Sequence, residues 1–199
     1  DVYKRQALDG ARLTVSDHAG GERVIDLGAL AEDLEGDGRY DPPTTGLDAK
    51  GQGIPYATYG FAAQIALVRV DTVLGTVKVE AIEAAQDVGR AVNPQMVLGQ
   101  IHGGIAQGLG LALMEEFIPG RTENLHDYLI PTAGDVPPIR IHLVEDPEPE
   151  GPYGAKGVGE PALVPTAPAI LGAIRHATGV TLRQVPVLPH RLWEAMHDR

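Results

Sequence analysis

Between residues 99 and 116 the chain reads GQIHGGIAQGLGLALMEE, a helical pattern that carries five glycines. Ile101, Ile105, Leu109 and Leu113 recur every four residues and define an apolar stripe. Gly99, Gly103, Gly104, Gly108 and Gly110 each cost roughly 1 kcal/mol of helix stability relative to alanine. Such a helix forms only where packing elsewhere in the molecule stabilises it. One reading is a helix laid tightly on a neighbouring helix, with the glycines admitting the contact. The other is a helix N-terminus pressed close to a flat or anionic ligand, with the amides of Gln100 to Gly104 turned toward it. Gln100 and Gln107 both donate and accept, which suits the mixed edge of a heterocycle.

The surrounding text predicts an α+β fold. Tyr56–Val70 and Thr76–Ala84 alternate around a turn at Asp71–Gly75 and read as an antiparallel hairpin. Upstream, Arg12–Val15 and Arg23–Ile25 read as short strands around Gly20-Gly21. Asp26 is placed to cap a helix over Leu27–Leu34, with Leu27, Leu30 and Leu34 on its apolar face. Residues Glu35–Gln52, rich in Gly, Asp and Pro, read as an exposed connector. Asn93-Pro94 is a helix-start signal, and the glycine-bearing helix is expected over Gly99–Glu116. Further on, Ile139–Val144 alternates as a strand. Thr166 is a cap for a helix over Ala167–Ala177, with Ile170, Leu171 and Ile174 inward and Gly179 as its stop. Val180–Val185 reads as a strand and Arg191–Met196 as a short helix. Hairpins followed by helices argue against a doubly wound sheet.

The chain has 199 residues, enough for one sizeable core. Its net charge of −11, from 27 acidic against 16 basic residues without a basic stripe, disfavours nucleic acid and anionic membranes as partners. No apolar run approaches the roughly 18 residues of a membrane span. No signal peptide opens the chain, so the cytoplasm is the expected compartment. A first residue of Asp1 instead of methionine points to a fragment of a longer chain. There is no cysteine, which excludes disulfides, thiolate metal sites and a cysteine nucleophile. The seven histidines show no pair at metal-ligand spacing within one element.

A second glycine-rich stretch, GPYGAKGVGE at residues 151–160, ends in a carboxylate. Its lysine precedes the third glycine and no Ser or Thr follows, so it lacks the order of a phosphate-binding P-loop. No strand–G-x-G-x-x-G–helix unit is present either. Glu160 stands in the apolar run VGEPALVP, and a carboxylate desolvated there suits a general base. The plainer alternative is a surface acid or a helix cap. Asp87, before Gly89 and Arg90, is placed to bond backbone amides. Glu115 and Glu116 at a helix end, and Asp146, Glu148 and Glu150 among prolines, are expected to be solvated.

Taken in order, these stretches resemble the C-terminal molybdopterin-binding domain of the xanthine dehydrogenase/aldehyde oxidase family of molybdenum hydroxylases. The matching segments are YDPPTTGLD (40–48), GQGIPYATYGFAAQIALVRVD (51–71), DVGRAVNPQMVLGQIHGGIAQGLGLALMEE (87–116), HDYLIPTAGDVPPI (126–139) and GPYGAKGVGEPALVPTAPAILGAI (151–174). The likeness runs over about residues 13–196, and the whole of 1–199 is then the C-terminal portion of a cofactor-binding domain. The resemblance implies molybdenum–molybdopterin as cofactor, the cytosine dinucleotide form being one option, with the metal held by the pterin dithiolene and by no side chain. It implies oxidative hydroxylation of a purine-like N-heteroaromatic or an aldehyde, with water as the oxygen source. Glu160 aligns with the family's general base and Gln100 with its pterin-contacting glutamine. Gly99, Gly103 and Gln107 belong to the same cofactor-facing stretch, and Lys156, Gly157 and Gly159 to the loop around it. The family often carries glutamate where this chain has His102, which leaves that position without an inherited role. An upstream molybdenum domain, together with 2Fe-2S and FAD groups on other domains or subunits, is expected to complete the enzyme. A non-catalytic module that keeps the pterin groove is the alternative, and a carboxylate hydrolase using Glu160 a further one.

Overall fold

Short alternating segments form the N-terminal part. Strands β1 (Arg5–Asp9), β2 (Arg12–Ser16) and β3 (Glu22–Asp26) make an antiparallel sheet in that order. The structure, a computed structural model, describes residues 5–16, 20–30 and 35–197, and the chain divides into two units, Asp1–Asp41 and Pro42–Arg199. The strands expected at Arg12–Val15 and Arg23–Ile25 lie within β2 and β3. Of the helix expected over Leu27–Leu34, only Leu27–Leu30 lies among the described residues, and this part is not α-helical. Asp26 does cap, accepting from the Gly28 amide at 3.0 Å, but only a single 3₁₀ turn, Leu27–Ala29, follows. Leu30 is already extended and is exposed, and Leu34 lies outside the described residues. No described residue of this unit is fully buried, so the described residues offer no buried apolar surface against which a helix face could be stabilised.

In the second unit, Thr45 and Ile54 bond one another around a turn in which Asp48 Oδ1 accepts from the amides of Lys50 and Gln52. Strands β4 (Ala62–Asp71) and β5 (Thr76–Asp87) then form the expected hairpin, with one register shift at Leu67/Val68. The hairpin sits further along the chain than its sequence suggests. Tyr56–Phe61 is not strand, because β5 ends at Asp87 and offers no partner beyond the bond from the Asp87 amide to Phe61 O. Strand β6 (Ile139–Val144), found where alternation places it, pairs parallel to β5 on its other side. A parallel partner requires a crossover, and helix α1 (Pro94–Leu113) provides it.

Helices α1, α2 (Gly159–Leu163) and α3 (Thr166–Thr178) cover the inner face of this sheet, where Val79, Ile82 and Ala84 meet Ile101, Ile105, Leu109, Ile170 and Ile174. The opposite side of β4 exposes Ile65 and Leu67. At 20 residues and a mean hydropathy of 1.2, α1 has the length and composition of a membrane-spanning helix; here its buried stripe is the centre of the core. It begins earlier than Gly99, at the Asn93-Pro94 signal itself: Asn93 Oδ1 accepts from the Met96 amide at 3.1 Å.

Three further expectations change. Thr166 does not cap α3; its hydroxyl donates to Gln64 Oε1 at 2.8 Å, and Pro165 holds the cap position. Gly179 does stop the helix, with φ +73°. Val180–Val185 is not a strand. Its run of apolar residues leads instead to Val187, whose amide donates at 2.7 Å to Ala112 O, one of the carbonyls left open in the last turn of α1. Helix α4 (Pro189–His197) follows and buries Leu192.

Candidate active site

The glycine-rich loop is fastened to the end of β5. Gly89 and Ala155 form an antiparallel bridge; Arg90 N donates to Gly154 O at 2.8 Å and Lys156 N to Val88 O at 3.0 Å. The close approach requires glycine at position 89, which has φ +63° and where a Cβ would stand 2.3 Å from Gly154 O. Beside this bridge, Lys156 Nζ donates to Asp87 Oδ2 at 2.7 Å and to Asp146 Oδ2 at 3.3 Å. The Asp87 and Lys156 side chains are 7% and 5% exposed. Asp87 Oδ1 also accepts from the Gly89 amide at 2.9 Å, the backbone bond anticipated for it. Burial pushes the Asp87 carboxyl up, but hydrogen bonds from Lys156 and the Gly89 amide outweigh it and hold the group below the usual carboxylate range. Lys156 is raised above an ordinary lysine by its bond to Asp87, against the opposing effect of burial.

Beyond Lys156 the loop leads into α2, with Glu160 in its first turn. Glu160 is exposed, so the apolar residues around it in sequence do not desolvate it within this chain. Helix α2 rests on α1 through Gly104, where a Cβ would meet the Ala162 methyl at 2.9 Å, and α3 rests on α1 through Gly108, where it would meet Thr166 Cβ at 2.5 Å. Gly110 makes room for Glu115, whose carboxylate accepts from Tyr128 OH at 2.7 Å. Glu115 and Glu116 are therefore not solvated as expected: both are half-buried, and Glu116 pairs with Arg191. Asp146 is exposed but engages Lys156.

The two readings of the glycine-bearing helix thus divide by face. Gly104, Gly108 and Gly110 serve packing. Gly99 and Gly103 lie on the exposed side with nothing within 4 Å of where a Cβ would be, alongside exposed Gln100 and Gln107. Gln100 Oε1 comes within 3.4 Å of the Cβ position of Gly159, the residue before Glu160. His102 points elsewhere, its Nδ1 lying 2.8 Å from Leu98 O on its own helix. Among the described residues no group of three or more His, Asp or Glu side chains gathers to hold a metal ion.

The profile of the molybdopterin cofactor-binding domain matches residues 6–137, more than half of the chain. The chain belongs to the molybdopterin cofactor-binding domain family. This domain is 37% identical over 174 residues to the xanthine dehydrogenase molybdenum-binding subunit of Escherichia coli O157:H7, covering 83% of the chain and 23% of that subunit. The aldehyde oxidoreductase from Desulfovibrio gigas matches in structure with a TM-score of 0.74 at 37% identity, over 77% of this chain and 17% of that one. Quinoline 2-oxidoreductase from Pseudomonas putida 86 matches with a TM-score of 0.64 at 39% identity, over 67% and 18%. The chain spans less than a quarter of the length of these relatives. Their names are those of oxidoreductases, and the α+β architecture agrees with the molybdopterin-binding domain that its motifs resemble.

Within this molybdopterin-binding domain, the structure brings Gln100, Gly159 and Glu160 into one neighbourhood, with Gly99 and Gly103 beside Gln100. Gln107 lies two turns further along the same exposed stripe, roughly 10 Å away at 1.5 Å per residue. Lys156 is engaged in its ion pairs with Asp87 and Asp146 and lines one cavity with Gln100, Ala155 and Val158, and Gly157 lies in the stretch between it and α2. Two site residues escaped the sequence reading. Gln64 Nε2 donates to Ala162 O at 2.8 Å; its signal was a polar residue among the inward alternating positions Ala62, Ala66 and Val68 of β4. Thr166, read as a cap, is its partner.

Proposed function

We propose that this domain is the C-terminal part of a molybdenum hydroxylase large subunit, with Glu160 as general base in the oxidative hydroxylation of an N-heteroaromatic, purine-like or aldehyde substrate by water. The observation that carries this reading is the approach of Gln100 to Gly159. It joins the loop that ends in Glu160 to a stripe of bare helix backbone. Packing within the chain accounts for three of the five helical glycines but not for Gly99 and Gly103, where alanine would meet nothing. Two uncompensated glycines, at roughly 1 kcal/mol each, fit a surface kept clear for a flat group.

When bound there, molybdenum–molybdopterin, plain or as the cytosine dinucleotide, supplies the acceptor for the two electrons of the broken C–H bond. The chain's own residues do the rest. The Gln100 amide bonds the pterin edge and Gln107 extends that polar edge along the helix. Gly99 and Gly103 let the helix backbone come near, and Gly157 and Gly159 do the same on the loop side. The Glu160 carboxylate, with no hydrogen-bond partner of its own among the described residues, is free to take up the proton released as water is activated. Lys156 holds the loop through its ion pairs with Asp87 and Asp146. The remaining three quarters of the relatives' length motivates an upstream molybdenum domain, and 2Fe-2S and flavin groups on other domains or subunits would serve as the electron acceptors. The test is Glu160→Gln in the complete enzyme. Turnover is expected to fall by about 10²–10⁴-fold with molybdenum content unchanged; retention of a tenth of the wild-type rate rejects Glu160 as base.

A further inference from the structure

Among the described residues the Glu160 carboxylate has no hydrogen-bond partner of its own, so its position follows the backbone on either side. Two glycines, Gly157 and Gly159, stand just before Glu160, and by themselves leave the approach to it free to wander. The segment is nevertheless fixed at both ends. Four residues before Glu160, the Lys156 ammonium is locked between Asp87 and Asp146, with the Asp87 and Lys156 side chains more than nine-tenths buried. Two residues after it, Ala162 is fully buried against Gly104, and its carbonyl accepts from Gln64 Nε2 at 2.8 Å.

Gln64 has no other evident reason to be polar. It stands on the inner face of β4, where its neighbours in alternation are Ala62, Ala66 and Val68, and burying an amide there costs free energy unless both ends are bonded. Both ends are: Nε2 to Ala162 O, and Oε1 from Thr166 Oγ1 at 2.8 Å. Thr166 Oγ1 also lies 3.2 Å from Ala162 O. The amide therefore ties the edge strand to the end of the helix that bears Glu160.

We propose that Lys156 and Gln64 are positioning residues that clamp the Glu160 segment from its two ends. The clamp acts through backbone position and touches neither substrate nor cofactor. Its effect on turnover rests on the reading of Glu160 as general base, whereas its effect on the loop does not.

The experiment uses the full-length enzyme with Lys156→Met, Lys156→Arg, Gln64→Met and, in parallel, Glu160→Gln. In Lys156→Met and Gln64→Met, kcat is expected to fall about 10- to 100-fold, with KM within about twofold because no binding contact is removed. Molybdenum content stays at the wild-type level. Lys156→Arg, which keeps the charge, recovers most of kcat. Independently of turnover, amide hydrogen exchange over residues 157–160 of the cofactor-free protein rises in both Met variants and not in Lys156→Arg. Unchanged exchange in these residues, or a kcat within twofold of wild type in both Met variants while Glu160→Gln is inactive, overturns the clamp. Faster exchange together with an active Glu160→Gln supports the clamp and rejects Glu160 as the base.

Discussion

Gly104 on α1 faces Ala162 on α2 so closely that a Cβ on the glycine would stand 2.9 Å from the alanine methyl and 3.1 Å from both Gly159 O and Leu163 N. Two of those three neighbours are backbone and cannot swing aside. Gly104→Ala is therefore expected to lose more by overpacking, about 1–3 kcal/mol, than the roughly 1 kcal/mol it gains in helix propensity. Thermal unfolding of the protein should show a lower Tm.

One residue earlier the sign reverses. Gly103 has open space around it, so Gly103→Ala should raise stability by roughly 1 kcal/mol. If the exposed stripe is the cofactor surface, the same variant loses bound pterin. A higher Tm combined with reduced molybdenum content, measured by mass spectrometry of the purified enzyme, is the expected pair of results.

The Asp87–Lys156 pair should leave its mark on stability against pH. Asp87 is held below its ordinary value, so its contribution is present above the unfolded carboxylate value of about 3.9 and is lost as pH falls through the lowered folded value. Lys156 is raised, so its contribution is complete below the unfolded lysine value of about 10.4 and is lost as pH rises through the raised one. Asp87→Asn is expected to cost about 3–5 kcal/mol at pH 7, because it leaves a buried ammonium short of its partner. Urea titrations of wild type and Asp87→Asn should converge as pH falls below about 4.

Gly89→Ala tests the bridge alone. It must hold φ at +63° with a side chain and push Gly154 O away from 2.3 Å. The left-handed backbone alone costs roughly 1–2 kcal/mol. Limited proteolysis is expected to cut the 151–160 loop in this variant faster than in wild type.

Arg191 binds two groups at once: Nη1 donates to Pro186 O at 3.1 Å and Nη2 to the carboxylate of Glu116. A lysine has one ammonium to offer where the guanidinium presents a fork. Arg191→Lys is thus expected to recover only part of the stability lost in Arg191→Ala, about 1–3 kcal/mol for charge-assisted bonds of this kind, as read by chemical denaturation.

Local patterns made the core of this fold legible. Ile139–Val144 and the inward face of α3 were visible because a period of two or of 3.6 is a property of neighbouring residues alone. Val180–Val185 shows the same logic failing: Val180 is buried and Leu182 and Val185 half-buried without any strand pairing, the chain instead bonding α1 just beyond, through Val187, and nothing local distinguishes that from a strand. Over Leu27–Leu30, the described part of the expected helix, the cap forms but is followed by a single 3₁₀ turn, because among the described residues of this unit none is fully buried to receive a helix face. At the site, Glu160, Gln100 and Asp87 could be singled out by type and neighbours. Gln64 and the pairing of Glu116 with Arg191 could not, because each depends on a partner 75 or more residues away in the chain.

That separation has a kinetic meaning. Apart from the local Lys156–Asp146 pair, the side-chain bonds that fix the Glu160 segment close sequence intervals of 69, 98 and 102 residues, whereas the β4–β5 hairpin closes across a four-residue turn. Loop-closure entropy makes the short interval cheap and the long ones late. As the chain leaves the ribosome, the hairpin and the whole sequence of α1 emerge before the partners of Gly104 and Gly108, Ala162 and Thr166, have been made. The acid reaches its place only once Ala162 and Thr166 have been synthesised and have docked.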